Sequence, residues 1–272
     1  MSVYVCVPSA RPVEEVREWA KAWRERGYKV ALWRDDDNAD SANLAGYWDL
    51  ITGGCEHNMH AYPGYAWATN AIIKLALREH PEVDWVVCGG DDVFPDPNHS
   101  AEEIARQCTQ YYLDMFNEEA KHSQGWSRDE RMRIHGIREE QKTFGVMQPT
   151  GDRDFGDAQG PYIDRVAGSP WLGCEFCKRV NQGKGPFWPE YTHQFVDQEL
   201  QAVALRLGVF WQRSDLIHRH EHWARPKPGH RMGHAKDMPD FLKEANSGEH
   251  WAKFKALFEG RQAAGFPGHE PL

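Results

Sequence analysis

The chain has 272 residues, 40% of them hydrophobic, enough to enclose a sizeable core. Its net charge of −9 disfavours a nonspecific grip on nucleic acid or anionic lipid, which needs a lysine and arginine surplus, although a local basic face stays open. No stretch approaches the roughly 18 to 20 apolar residues of a membrane span, and "MSVYVCVPSARP" lacks the basic start and cleavage site of a signal peptide, so a cytoplasmic protein with no membrane partner is expected.

Residues 3 to 7, "VYVCV", form a short β-branched run that predicts a strand. The next stretch predicts a helix with Val13, Val16, Trp19, Ala20 and Trp23 on one face, stopped by Gly27. "YKVALW" is a second strand running into Asp35, Asp36 and Asp37. Residues 63 to 80 predict a helix that buries Ala71, Ile72, Leu75 and Leu77, and "VDWVVC" is the strand after it. Strands alternating with helices imply an open α/β sheet, whose ligands sit beyond the carboxyl ends of the strands. The acidic exits at Asp35 to Asp37 and at Asp91 and Asp92 would share that rim. Crowded carboxylates repel one another unless a cation offsets them, and hard oxygen ligands suit magnesium or manganese. A solvated turn rich in Asp and Pro is the plain alternative.

Ile104, Cys108, Tyr111, Tyr112 and Met115 predict an amphipathic helix passing into a charged excursion that ends near residue 142. "TFGVMQP" reads as a returning strand, and "GDRDFGDAQGPY" as a polar loop whose acids are solvated. Cys174 and Cys177 form a lone CxxC one helical turn apart; without a second pair, buried thiols are a better reading than zinc. The six cysteines, Cys6, Cys55, Cys88, Cys108, Cys174 and Cys177, are scattered and are expected mostly reduced. Leu200, Val203, Ala204 and Leu207 make a helical stripe with Asp197 and Glu199 at its positive amino end. His218, His220 and His222 alternate, so an extended strand would turn all three to one side. The basic loop 224 to 236 follows, then a packing helix capped by Ser247, with Trp251, Phe254, Leu257 and Phe258 facing inward.

This βαβ start, acidic second-strand exit, "GYAWATNAIIKLAL" helix and "CGGDDVFPDP" strand end resemble glycosyltransferases of the GT-A type. The resemblance covers residues 3 to about 100 and implies an α/β, Rossmann-like open mixed sheet flanked by helices. It departs where the family's Asp-x-Asp motif reads Gly90-Asp91-Asp92, leaving Asp92 as the metal ligand and Asp91 nearer the ribose or the metal. By the same likeness Pro8, Ser9, Arg11 and Asp35 to Asp37 would hold the base and ribose, with Asn70 approaching the nucleotide. Gly168, Ser169 and Trp171 would floor the acceptor site, Asp197 or Glu199 would supply the base of an inverting enzyme, and one histidine of His218, His220 and His222 would complete a Mn2+ or Mg2+ site.

The expected organisation is one compact unit: a nucleotide-sugar half at 1–100, a helical and charged excursion at 101–143, an acceptor and metal-completing half at 144–239, and a packing helix with tail at 240–272. The implied activity is metal-dependent transfer of a sugar from a nucleoside diphosphate, UDP foremost, to an acceptor hydroxyl. "GSPWLG", "GPFWPEY" and the histidine run resemble small phage GT-A enzymes that act on 5-hydroxymethylcytosine in DNA, which would place the chain in a host cytoplasm. Two other classes stay open: a zinc-dependent hydrolase built on the three histidines, and a noncatalytic nucleotide-binding protein.

Overall fold

The computed structural model describes residues 1–34, 46–53, 63–121, 141–154, 156–222, 225 and 240–269. Strand β1 (Ser2–Pro8) enters the core with Val3 to Val7 all buried, and α1 (Val13–Glu25) covers it with Val16, Trp19, Ala20 and Trp23, the face its spacing predicts. After Gly27, whose φ of +85° suits only glycine cheaply, come β2 (Lys29–Arg34), β3 (Leu50–Gly53), α2 (Tyr65–Glu79), β4 (Val83–Cys88) and the two-residue β5 (Val93–Phe94). The buried stripe of α2 is Ile72, Ile73 and Ala76, so it lies one position away from the expected one, and Leu75 and Leu77 are only partly covered.

Then follow α3 (Ala101–Lys121), β6 (Val146–Pro149), a small hairpin of β7 (Gly156–Asp157) and β8 (Gly160–Pro161), β9 (Trp171–Gly173), α4 (Cys174–Arg179), α5 (Val196–Arg206), β10 (Phe210–Arg213), β11 (Arg219–His220), α6 (Asp240–Ala245) and α7 (Gly248–Ala263). The main sheet has seven strands in the order β10-β6-β9-β4-β1-β2-β3. Strands β3, β2, β1 and β4 are parallel, β9 runs antiparallel to both β4 and β6, and β10 is parallel to β6. Strands from the second half therefore extend the sheet of the first, as a helix-flanked α/β sheet of mixed direction.

Cys174 and Cys177 lie buried on α4, and burial pushes both thiols up, so they are inert packing residues. Ser247 caps α7 as expected, accepting from the His250 N–H. Trp251 departs from its expected inward position, remaining 46% exposed while its ring lies against Phe195. No helix among the described residues is long and apolar enough to cross a membrane. Asp35 to Asp37, Cys55, most of the charged excursion and all but Arg225 of the basic loop lie outside the described residues.

Candidate functional site

The carboxyl ends of β1 and β4 are tied together by side chains. Ser9 donates its hydroxyl to Asp91 Oδ2 at 2.6 Å and the Arg11 Nε faces Asp91 Oδ1 at 2.9 Å. The Arg34 guanidinium, at the end of β2, donates to the backbone carbonyls of Ser9 and Arg11, fixing the loop in which Pro8 closes β1. Desolvation raises the Asp91 carboxyl against the pull of Arg11 and Ser9. Asp91 thus reaches the expected rim but spends its oxygens on the β1–α1 loop.

Asp92 points elsewhere. The second-half chain is drawn to it by a set of long-range hydrogen bonds that hold the antiparallel pair of β5 and β11, in which His220 lies opposite Val93. Trp19 and Trp23 both donate their indole N–H to the Val93 carbonyl, and the Glu221 N–H donates to the Asp92 carbonyl at 2.7 Å. Asp96, fully buried in the "PDP" turn, accepts from the N–H groups of Asn98, His99 and Ile217, so one carboxylate joins residues 121 positions apart. As a result His220 Nε2 stands 3.2 Å from Asp92 Oδ1. The ring of His222 follows with its centroid 5.0 Å from that of His220. His193, which sequence reasoning passed over four residues before Asp197, is also close enough to feel the Asp92 charge.

The electrostatics of this cluster divide sharply. Burial alone would raise the Asp92 carboxyl, but the His220 hydrogen bond and the charges of His220, His222 and Arg11 outweigh it and hold Asp92 down at about 2. His222 moves the other way, to about 4, because burial and the neighbouring His220 disfavour its proton. Burial likewise lowers His193. At neutral pH the cluster presents an ionised carboxylate and neutral imidazoles at His222 and His193.

A divalent cation fits the donor pair. Adjacent ligands on an octahedral ion, bound at about 2.1 Å, stand about 3 Å apart, so the separation of 3.2 Å suits a shared ion as well as a direct hydrogen bond. Among the described residues no group of three or more His, Cys, Asp or Glu could hold a metal by itself. An ion gripped by Asp92 and His220 would take its other ligands from water and substrate oxygens, the habit of magnesium and manganese.

His220 owes its position to a clamp that the sequence did not disclose. Asp152, read there as a solvated loop acid, is buried after β6 and accepts the His220 N–H at 3.0 Å. Arg225 grips both Asp152 oxygens, at 2.6 and 2.8 Å, and donates to the His220 carbonyl at 2.9 Å. Gly151 lets the two segments approach, since a Cβ there would stand 2.5 Å from the Leu216 carbonyl. Removing one partner leaves the other buried and uncompensated, so Asp152→Ala is expected to cost about 3 to 5 kcal/mol in urea unfolding. Adding Arg225→Met is expected to recover part of that loss, and strict additivity of the two substitutions would argue against the clamp.

Asp197 and Glu199, both at the start of α5, sit in different environments. Asp197 is partly accessible, yet desolvation pushes its carboxyl up to about 6 against the opposing pull of its backbone hydrogen bonds and of His220. Glu199 is buried in a structural network: Arg261 chelates it at 2.7 to 3.0 Å, His269 approaches at 2.8 Å and Tyr191 donates at 2.7 Å. It fastens the C-terminal helix to α5 and has no oxygen left for an acceptor.

Four other expected site residues are turned away from this rim. His218 is buried: its Nδ1–H donates to the Ser169 carbonyl at 3.2 Å and its Nε2 accepts from the Trp171 indole at 3.4 Å. Burial lowers its pKa to about 4, and with both nitrogens engaged it offers no lone pair to a metal, so the three histidines do not converge. Trp171 is fully buried in β9, between β4 and β6, where it serves the core and cannot floor a cleft. Ser169 is buried against Gln148, while Gly168 before it is partly exposed. Asn70 is also buried, with its carboxamide bonded to both backbone groups of Phe187, so it is spent on positioning that segment and lies away from the Asp92 rim.

No protein-family model and no curated protein matches the chain. Among solved structures it is similar to a glycosyltransferase involved in the glycosylation of the major capsid of PBCV-1, with a TM-score of 0.30 and 8% identity over 64% of this chain. The chain spans 60% of the length of that structure. The class defined by its own architecture is a mixed α/β sheet with helices on its faces, compatible with a GT-A-like fold.

Proposed function

We propose that the chain is a metal-dependent glycosyltransferase that moves a sugar from a nucleoside diphosphate, UDP foremost, to an acceptor hydroxyl. The supporting observation is the 3.2 Å approach of His220 to Asp92 at the carboxyl ends of parallel strands. Asp92 and His220 would hold the divalent cation, Mn2+ or Mg2+. Bound there, the cation would offset the charge that grows on the departing diphosphate as the sugar becomes oxocarbenium-like. Ser9, Arg11 and Asp91 shape the loop that receives the nucleoside, and the neutral His193 and His222 offer hydrogen bonds without adding charge. Asp197, ionised above about pH 6, accepts the acceptor's hydroxyl proton in an inverting transfer.

A donor screen tests this reading. Purified protein is incubated with UDP-, GDP-, ADP- and TDP-sugars, with and without manganese, and free nucleoside diphosphate is measured. Hydroxymethylated cytosine in DNA is included among the acceptors. Release from one donor class, abolished by EDTA and restored by manganese, is expected. Failure of every donor to react or to raise the melting temperature would remove the transferase reading.

A further inference from the structure

A cavity of about 550 Å³ lies between α2 and the segment 184–189, and shares no lining residue with the Asp92 and His220 rim. Its wall is built. Asn70 donates to the Phe187 carbonyl at 2.7 Å and accepts the Phe187 N–H at 3.2 Å, while Asn181 donates to the same carbonyl at 3.1 Å. Gly185, at φ +113°, brings the segment so close that a Cβ would stand 2.5 Å from the Asn70 carboxamide. The segment is thereby fixed against the helix, and the hollow is part of the fold.

The lining is strongly biased in charge. Lys74, Arg78 and Lys184 face the cavity, and among the described residues no Asp or Glu lines it, in a chain whose net charge is −9. Lys74 and Arg78 are four residues apart on α2, a like-charge spacing that destabilises a helix. The Arg78 pair with Glu79 is exposed and offsets little of this. Beside the cations stand Trp67, Leu75 and Pro189, an apolar and aromatic wall. Cations next to a flat apolar surface, in a hollow within the roughly 300 to 1,000 Å³ range of small-molecule sites, match a ligand that carries phosphate at one end and a planar ring at the other.

We propose that this cavity is a second binding site, for a nucleotide phosphate, with the phosphate on Lys74, Arg78 and Lys184 and the ring against the Trp67 wall. The ligand is a free mononucleotide or one unit of a single strand, and the two share the chemistry the site recognises. Titration calorimetry with UMP and with a short oligothymidylate, without donor sugar or metal, tests the assignment for the full chain. Because Lys74 and Arg78 are exposed, Lys74→Glu with Arg78→Glu is expected to leave the circular dichroism unchanged and to weaken binding at least about tenfold. For the strand the dependence of affinity on salt is expected to be weaker in the variant than in wild type, because the bound phosphate has lost two of its three cations. Lys184→Glu, on a separate segment, is expected to weaken binding in the same direction and guards against a folding defect in the helix variant. Tighter binding of UMP or of the strand identifies the source. Binding by neither probe, or affinities within twofold of wild type in both variants, would overturn the proposal. Asp92→Asn is expected to leave this binding unchanged, so loss of the transferase reading and loss of this one are separately visible.

Discussion

Asp92→Asn is expected to lower kcat for sugar transfer by about 10²- to 10³-fold. The reasoning is electrostatic: an amide keeps the shape and a hydrogen bond to His220, but loses the charge that holds a divalent cation against a diphosphate, and donors placed at a developing charge are worth about 10²- to 10³-fold each. The same substitution reports on stability. The Asp92 carboxyl is held at about 2, below its ordinary value of 3.8, a difference worth up to about 2 kcal/mol. The sign follows from the depressed value: the stabilisation is present above about pH 4 and is lost as pH falls towards 2. Wild type is therefore expected to exceed the variant in melting temperature at pH 7, with the two converging near pH 2. Manganese binding, followed by electron paramagnetic resonance, is expected to weaken in parallel with kcat. A variant with wild-type turnover and unchanged manganese affinity would refute the ligand assignment.

The sequence made the first half of this architecture legible because its signals are local. "VYVCV", the α1 stripe and "VDWVVC" each declare their element within a few residues, and the acidic exit of β4 follows from the strand's own end. Strand β3 escaped notice because four residues at a sheet edge have too little pattern to stand out. The family resemblance implies that one of His218, His220 and His222 meets Asp92 without saying which, and the groups that bring His220 there are not legible in the sequence. Asp96, Asp152 and Arg225 act across 121, 68 and 5 positions on the second-half chain, and no window on the sequence contains both ends of the longer contacts.

The histidine run failed for a related reason. Alternation aligns side chains only within a continuous strand, and β11 is two residues long, so the chain is free to turn His218 into the core before pairing begins. Glu199 and Trp171 misled because a charged residue at a helix start and a tryptophan beside glycine and serine look alike whether they serve a site or a core. Their partners, Arg261 and His269 for one and His218 for the other, come much later in the chain. Local sequence reports the element a residue belongs to; the side on which it is used depends on those distant partners.

Asp197→Asn is expected to lower kcat by about 10² to 10⁴-fold, the range that a positioned general base supplies. Wild-type log kcat is expected to rise with pH until the carboxyl ionises at about 6 and then level off, and the variant is expected to lose that acidic limb. Stability moves in the opposite sense. Burial raises this carboxyl, so the folded protein holds its proton more tightly than the unfolded chain does. Stability relative to the amide variant is fully retained below the ordinary value of 3.8 and is lost as pH rises through about 6. At pH 8 the ionised, desolvated group costs up to about 3 kcal/mol, and Asp197→Asn is expected to melt several degrees above wild type there but level with it at pH 3.5. Glu199→Gln supplies the contrast, since weakening the Arg261 contact lowers the melting temperature without moving the pH limb. A residue whose ionisation both destabilises the fold and is required for transfer is being kept for chemistry. If Asp197→Asn gained stability at pH 8 yet retained full turnover, the carboxylate would have no part in proton removal.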